Sequence, residues 1–150
     1  MLDKEKLRIY FAASMKGEKR KDTLYWNNLI TERLRTHGTL LTEQVVKFSD
    51  GEQKEPHFIY QRDIEWLKSC NVFVASVSEA SLGVGYEIAK AEEFGKRILC
   101  LYRGDVRRLS AMILGNPNII TKAYQNKKEL YQILDLIPHG LWTINKLFQP

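Results

Sequence analysis

Apolar residues arrive along this chain in short bursts that alternate with helical stripes. Leu7 to Ala13 (LRIYFAA) is an apolar run of β type, and the polar SMKGEKRKD after it holds a glycine and reads as a loop. Asp22 is placed to cap a first helix, on which Trp26, Leu29, Ile30 and Leu34 share a face, and Gly38 to end it. Thr39 to Val46 (TLLTEQVV) is β-rich, and Phe48 to His57 is polar, with Gly51 and Pro56. Helical spacing returns over Ile59 to Cys70. Tyr60, Ile64 and Leu67 form one stripe there, and Asp63, Leu67 and Cys70 an adjacent one. Asp63 therefore stands at the edge of the inward face, where a carboxylate is costly unless paired or hydrogen-bonded. Val72 to Val77 (VFVASV) reads as a buried strand. Gly83 to Gly95 reads as a helix with Val84, Ile88 and Ala91 inward, and Arg97 to Tyr102 (RILCLY) as a strand. A short helix at Leu109 to Leu114, a strand at Ile119 to Ala123 and a helix at Lys127 to Ile137 follow. A helical turn or two in His139 to Phe148 completes the pattern.

Strands alternating with helices predict parallel βαβ units with right-handed crossovers. The expected architecture is α/β: a Rossmann-like, doubly wound, mainly parallel sheet flanked by helices, in a single domain over residues 1–150. Such sheets bind ligands at the carboxyl ends of their strands. The loops that matter are then Ser14 to Lys21, Ser78 to Gly85 and Arg103 to Ser110, which hold nearly all the interesting polar residues.

Composition narrows the partners. The chain has 150 residues, is 44% hydrophobic and 27% charged, and needs no staple to fold. No apolar run reaches the length of about 20 residues that spans a bilayer. The opening MLDKEKLRIYFAAS reads as a first buried strand rather than a signal peptide, so the expected compartment is cytoplasmic, or nuclear in a eukaryote. Cys70 and Cys100 sit among apolar neighbours and read as buried free thiols. The three histidines lack ligand spacing, so no metal is expected. A net charge of +5 favours anionic partners. Aromatic residues do not interleave with the cations as a single-strand binder requires, which points to a small phosphorylated ligand and away from nucleic acid.

Three features suggest chemistry, each beside a plainer reading. In YFAASMKG, Ser14, the amides of Met15 and Lys16, and the Lys16 cation suit a phosphate, or form an ordinary polar loop. The segment is not a P-loop, because GxxxxGK[ST] is absent. SLGVGYEI has GxG, but Ile88 takes the place of the third glycine of a dinucleotide fingerprint, and Gly83 and Gly85 suit close backbone approach or a turn. Glu87 follows, in the expected first turn of its helix. It either complements the helix dipole or is held ionised by it as a nucleophile. Asp63 and Glu87 are the two carboxylates placed near one sheet edge, and paired carboxylates cleave glycosidic bonds. Tyr10, at a strand end, can orient one of them or serve in the core.

With IYFAASMKG, TLLTEQV, QRDIEWL, SLGVGYE, KRILCLYR and LSAMI in this order, the sequence resembles the 2′-deoxynucleoside 5′-monophosphate N-glycosidases, relatives of the nucleoside 2-deoxyribosyltransferases. The likeness runs from Leu7 to Met112. It implies Glu87 as the nucleophile at C1′ of the deoxyribose, Asp63 as the group that contacts sugar or base and assists proton transfer, and Tyr10 as the residue that orients the carboxylate. It implies a sugar-phosphate pocket of Ser14, Met15, Lys16, Ser81 and Gly83, with Glu43 near the base. It further implies a homodimer in which Ser110, with Met112 beside it, completes the phosphate site of the neighbouring subunit. Lys16 stands where the family's hydrolases often have arginine, and Gln44 where a histidine is common. The expected function is hydrolysis of a 2′-deoxynucleoside 5′-monophosphate to free base and 2-deoxyribose 5-phosphate, without cofactor. Transfer of deoxyribose between bases and non-enzymatic nucleotide binding are the alternatives.

Overall fold

The structure, a computed structural model, describes residues 7–14, 20–42 and 55–143. Five strands, β1 (Arg8–Ala12), β2 (Thr39–Leu41), β3 (Val72–Ser76), β4 (Arg97–Tyr102) and β5 (Ile119–Ala123), form one sheet in the order β2-β1-β3-β4-β5. Every neighbouring pair is parallel. Five helices connect and flank them: α1 (Arg20–Arg35), α2 (Pro56–Ser69), α3 (Leu82–Glu93), α4 (Ala111–Leu114) and α5 (Lys127–Asp135). This is the expected α/β sheet.

Strand alternation sorts the core into two layers. Ile9, Phe11, Val72, Val74, Leu99 and Leu101 pack under α1 and α5 with Ile30, Leu34, Leu130 and Leu134. Tyr10, Ala12, Phe73, Ala75, Ile98 and Cys100 face the other way, against Leu67 of α2 and Val84, Ile88 and Ala91 of α3. Both faces are covered, so the strands read as continuous apolar runs. The chain leaves β1 toward α1 on one face and leaves β3 toward α3 on the other. A crevice opens where these connections part, at the carboxyl ends of β1 and β3.

Several local expectations change. α1 begins at Arg20, so Asp22 lies inside its first turn and is no cap; the Trp26 indole N–H donates to it at 3.1 Å. Gly38 is not a left-handed helix terminator, since the glycines with positive φ are Gly95, Gly104 and Gly140. Its constraint is space: a Cβ there would come 2.2 Å from the Leu7 carbonyl oxygen, where the chain enters β2 beside β1. Gly95 does end α3 left-handed, at φ +69°. β2 ends at Leu41, with Thr42 outside the strand, and the remainder of TLLTEQVV from Glu43 lies outside the described residues. Cys70 and Cys100 are buried free thiols that burial pushes up to about 11 and about 12, so both stay protonated at neutral pH. No helix of the described residues is long and apolar enough to cross a membrane.

Candidate active site

The crevice deepens into a cavity of about 580 Å³. Ala13 and Ser14, just past β1, form one wall, and Tyr60 and Asp63 of α2 a second. The turn into α3 supplies the third, with Ser81, Gly83, Tyr86 and Glu87. The serine of SLGVGYEI is the N-cap of α3: the Val84 amide donates to its hydroxyl oxygen at 3.3 Å. The Ser81 O–H proton stays available to donate, and the first amides of the helix lack intrahelical acceptors. A hydroxyl and free N–H groups at a helix start suit an anion. A Cβ on Gly83 would lie 3.9 Å from the Ser81 hydroxyl and 4.0 Å from the Glu87 carboxylate. The bare Cα keeps the strip between cap and carboxylate open.

Glu87 lies deeper in its helix than expected. α3 starts at Leu82, so Glu87 falls in the second turn, and no acid occupies the first. The helix dipole weakens beyond the first turn, and desolvation outweighs it here. Burial pushes the Glu87 carboxyl up to about 7, a hydrogen bond from Tyr10 opposes the rise, and the charge of Asp63 adds to it. Burial thus works against the ionised form of Glu87, and the Tyr10 hydrogen bond works for it.

Tyr10 is both a core residue and a partner of the site. Its ring is 1% exposed, stacks on Phe73 at 5.5 Å and meets Trp66 edge-on at 6.4 Å. Two aromatic neighbours fix the direction of the hydroxyl that donates to Glu87. Tyr10→Phe keeps the ring and removes that donor, which stabilises the ionised form. We expect the acid limb of the kcat/KM profile to move to higher pH, with a loss of about tenfold at neutral pH. An unmoved limb would show that the hydrogen bond does not tune Glu87.

The structure therefore gathers Tyr10, Ser14, Asp63, Ser81, Gly83 and Glu87 in one place. It does not bring Ser110 and Met112 to them. Ser110 caps the short α4 and is exposed, and Met112 is 81% exposed. The loop after β4 lies one strand beyond the β1/β3 crevice, and none of Arg103 to Ser110 lines this cavity. Met15, Lys16, Glu43 and Gln44 lie outside the described residues. Among the described residues no cluster of three His, Cys, Asp or Glu could hold a metal.

Sequence reading passed over three side chains. Tyr60, placed on an inward stripe, is 51% exposed at the cavity rim, where its hydroxyl lies 3.5 Å from that of Tyr86. Arg62 grips the Asp63 carboxylate from the preceding position. The signal for Arg62 was present, since Trp66 follows it at the i+4 spacing that sets a cation on a ring.

The arrangement places two carboxylates, an orienting phenol and an anion-suited helix start around one cavity. The sequence model for the family described as nucleoside 2-deoxyribosyltransferase matches residues 9–131. The chain belongs to the nucleoside 2-deoxyribosyltransferase family. A Danio rerio relative named 5-hydroxymethyl-dUMP N-hydrolase is 40% identical, over 86% of this chain and 86% of its own length. The human protein of the same name is 45% identical over 71% of this chain, and the match spans 64% of that longer protein. Among solved structures, the CMP N-glycosidase BcmB of Clostridium botulinum superposes with a TM-score of 0.62 at 22% identity, over 86% of this chain and 98% of its own. At that identity the likeness speaks for the fold.

Proposed function

We propose that this family member is a hydrolase that cleaves the N-glycosidic bond of 2′-deoxynucleoside 5′-monophosphates, releasing free base and 2-deoxyribose 5-phosphate. The observation that carries the reading is the half-buried Glu87, oriented by Tyr10 and faced by Asp63 in a cavity bounded by the Ser81 cap. A Glu87 oxygen attacks C1′ as the C1′–N bond breaks. The bond's electron pair leaves with the base, which takes a proton from a carboxyl group or from water. Water then adds at C1′, the ester to Glu87 breaks, and the carboxylate returns. A 2′-deoxy sugar lacks the withdrawing hydroxyl, so positive charge develops at C1′ more easily. Ser14, Ser81 and Gly83, with Met15 and Lys16, hold the sugar phosphate, and Glu43 approaches the base. No cofactor takes part.

The active form is a homodimer in which Ser110 and Met112 reach the neighbour's phosphate site. Their exposure outside this chain's own cavity supports that role, as does Leu82, 97% exposed at the start of α3. The whole chain, 1–150, acts as one domain. Its two buried free thiols suit the reducing cytoplasm.

The test is base release, followed by chromatography, from a panel of deoxynucleoside monophosphates including 5-hydroxymethyl-dUMP, with ribonucleotides and unphosphorylated deoxynucleosides beside them. Cleavage confined to deoxy monophosphates is expected. A new nucleotide formed on adding acceptor base would make the protein a transferase, which the family's own description makes the second reading. Binding without cleavage would leave a nucleotide-binding module.

A further inference from the structure

Neighbouring residues on a helix point about 100° apart, so a residue and its successor do not ordinarily form an ion pair. Arg62 and Asp63 of α2 do. The Arg62 Nε and Nη2 groups both donate to Asp63 Oδ1, at 2.9 and 2.8 Å. Each side chain is only 13% exposed. The guanidinium lies over the Trp66 ring, 4.6 Å from its centre, one helical turn further on. Trp66 in turn meets the edge of Tyr10, whose hydroxyl reaches Glu87. The grip on Asp63 is thus built into the aromatic wall that also orients Glu87.

We infer that Arg62 is a positioning residue of this site: held flat on Trp66, it fixes the Asp63 carboxylate by one oxygen and leaves the other for the substrate. The inference rests on the glycosidase reading above. Two donors on one oxygen stop the carboxylate from rotating, and a lysine, which offers a point charge, cannot reproduce that fork. The guanidinium also sets a positive charge beside one of two carboxylates that repel each other. Among the described residues, Tyr10 from β1 and Asp63 from α2, with Arg62 behind it, act on Glu87, and Tyr60, Ser81 and Tyr86 line the same cavity. Arg62 is the cation in direct contact with the facing carboxylate. Without it, the charge of Asp63 bears unopposed on Glu87 and disfavours its ionised form.

Arg62→Gln and Arg62→Lys are to be compared with wild type and Asp63→Asn, alone and combined with each Arg62 variant. The readouts are kcat and KM on the fastest substrate of the panel, from about pH 5 to about pH 9, with thermal melts alongside. We expect Arg62→Gln to lower kcat by about 30-fold at neutral pH, change KM by less than about threefold, and move the acid limb upward. Arg62→Lys should keep the limb near its place yet recover only part of kcat. In the Asp63→Asn background either substitution should cost less than about threefold, because a residue acting through Asp63 has nothing left to position. Equal losses in both backgrounds, or full activity of Arg62→Gln, would overturn the inference. If Arg62→Gln fails to fold, the Arg62→Lys cycle decides alone, and full activity of Arg62→Lys then overturns it. Wild type that cleaves no member of the panel removes the glycosidase reading itself, and the inference with it.

Discussion

Glu87→Gln should stop base release while leaving nucleotide binding almost untouched. Gln has the shape of Glu and keeps an oxygen for the Tyr10 hydroxyl, so the cavity wall survives. What it lacks is an anionic oxygen able to bond to C1′. A nucleophile that forms a covalent intermediate cannot be replaced by orientation alone, and we expect kcat to fall by at least about 10³-fold. The Kd of the best monophosphate, measured by calorimetry, should stay within about threefold. Loss of the charge at Glu87, whose carboxyl burial pushes up to about 7, removes a repulsion toward the phosphate, so any change should favour binding. Turnover retained by Glu87→Gln would take Glu87 out of the mechanism and leave the cavity as a binding site.

Asp63→Asn should also be severe, with a signature of the opposite sign in pH. We expect a loss of about 10²- to 10⁴-fold at neutral pH, the range for a group that assists proton transfer. The charge of Asp63 helps to raise Glu87. Once it is neutral, ionisation of Glu87 becomes easier. The acid limb of kcat/KM, which requires ionised Glu87, should move to lower pH. The second ionisation of the substrate phosphate, near about pH 6, is common to all variants and cancels in the comparison. Wild-type rates with an unmoved limb would show that Asp63 neither assists the reaction nor faces Glu87. Tyr10→Phe and Asp63→Asn thus displace the same limb in opposite directions, which global destabilisation cannot imitate.

The fold was legible because its code is local. A period of two residues in a strand and 3.6 in a helix follows from backbone geometry, so VFVASV and RILCLY announce themselves wherever the chain carries them. β4 and β5 begin and end where the pattern placed them. Helix starts were less legible. A cap depends on which amide its side chain meets: Ser81 caps α3 in fact, whereas Asp22, an equally good candidate on paper, sits inside a turn. The meeting of Tyr10, Asp63 and Glu87 was partly readable, because a parallel sheet brings the carboxyl ends of β1 and β3 together whatever their separation in sequence.

By itself, then, the sequence determined the alternation of strands and helices, the parallel sheet, the edge where polar residues converge, and the family to which its motifs belong. Tertiary structure alone decided the surroundings of Glu87, because desolvation depends on what distant segments stack around a group, and here it pushes the carboxyl up. The same applies to Gly38, chosen for the backbone of Leu7 pressing against it rather than for its own dihedral angles. It applies also to Arg62, which lies on Trp66 where Trp66 meets Tyr10 of β1. Periodicity is a property of the chain, whereas dielectric surroundings and cross-chain contacts exist only after the chain has closed on itself.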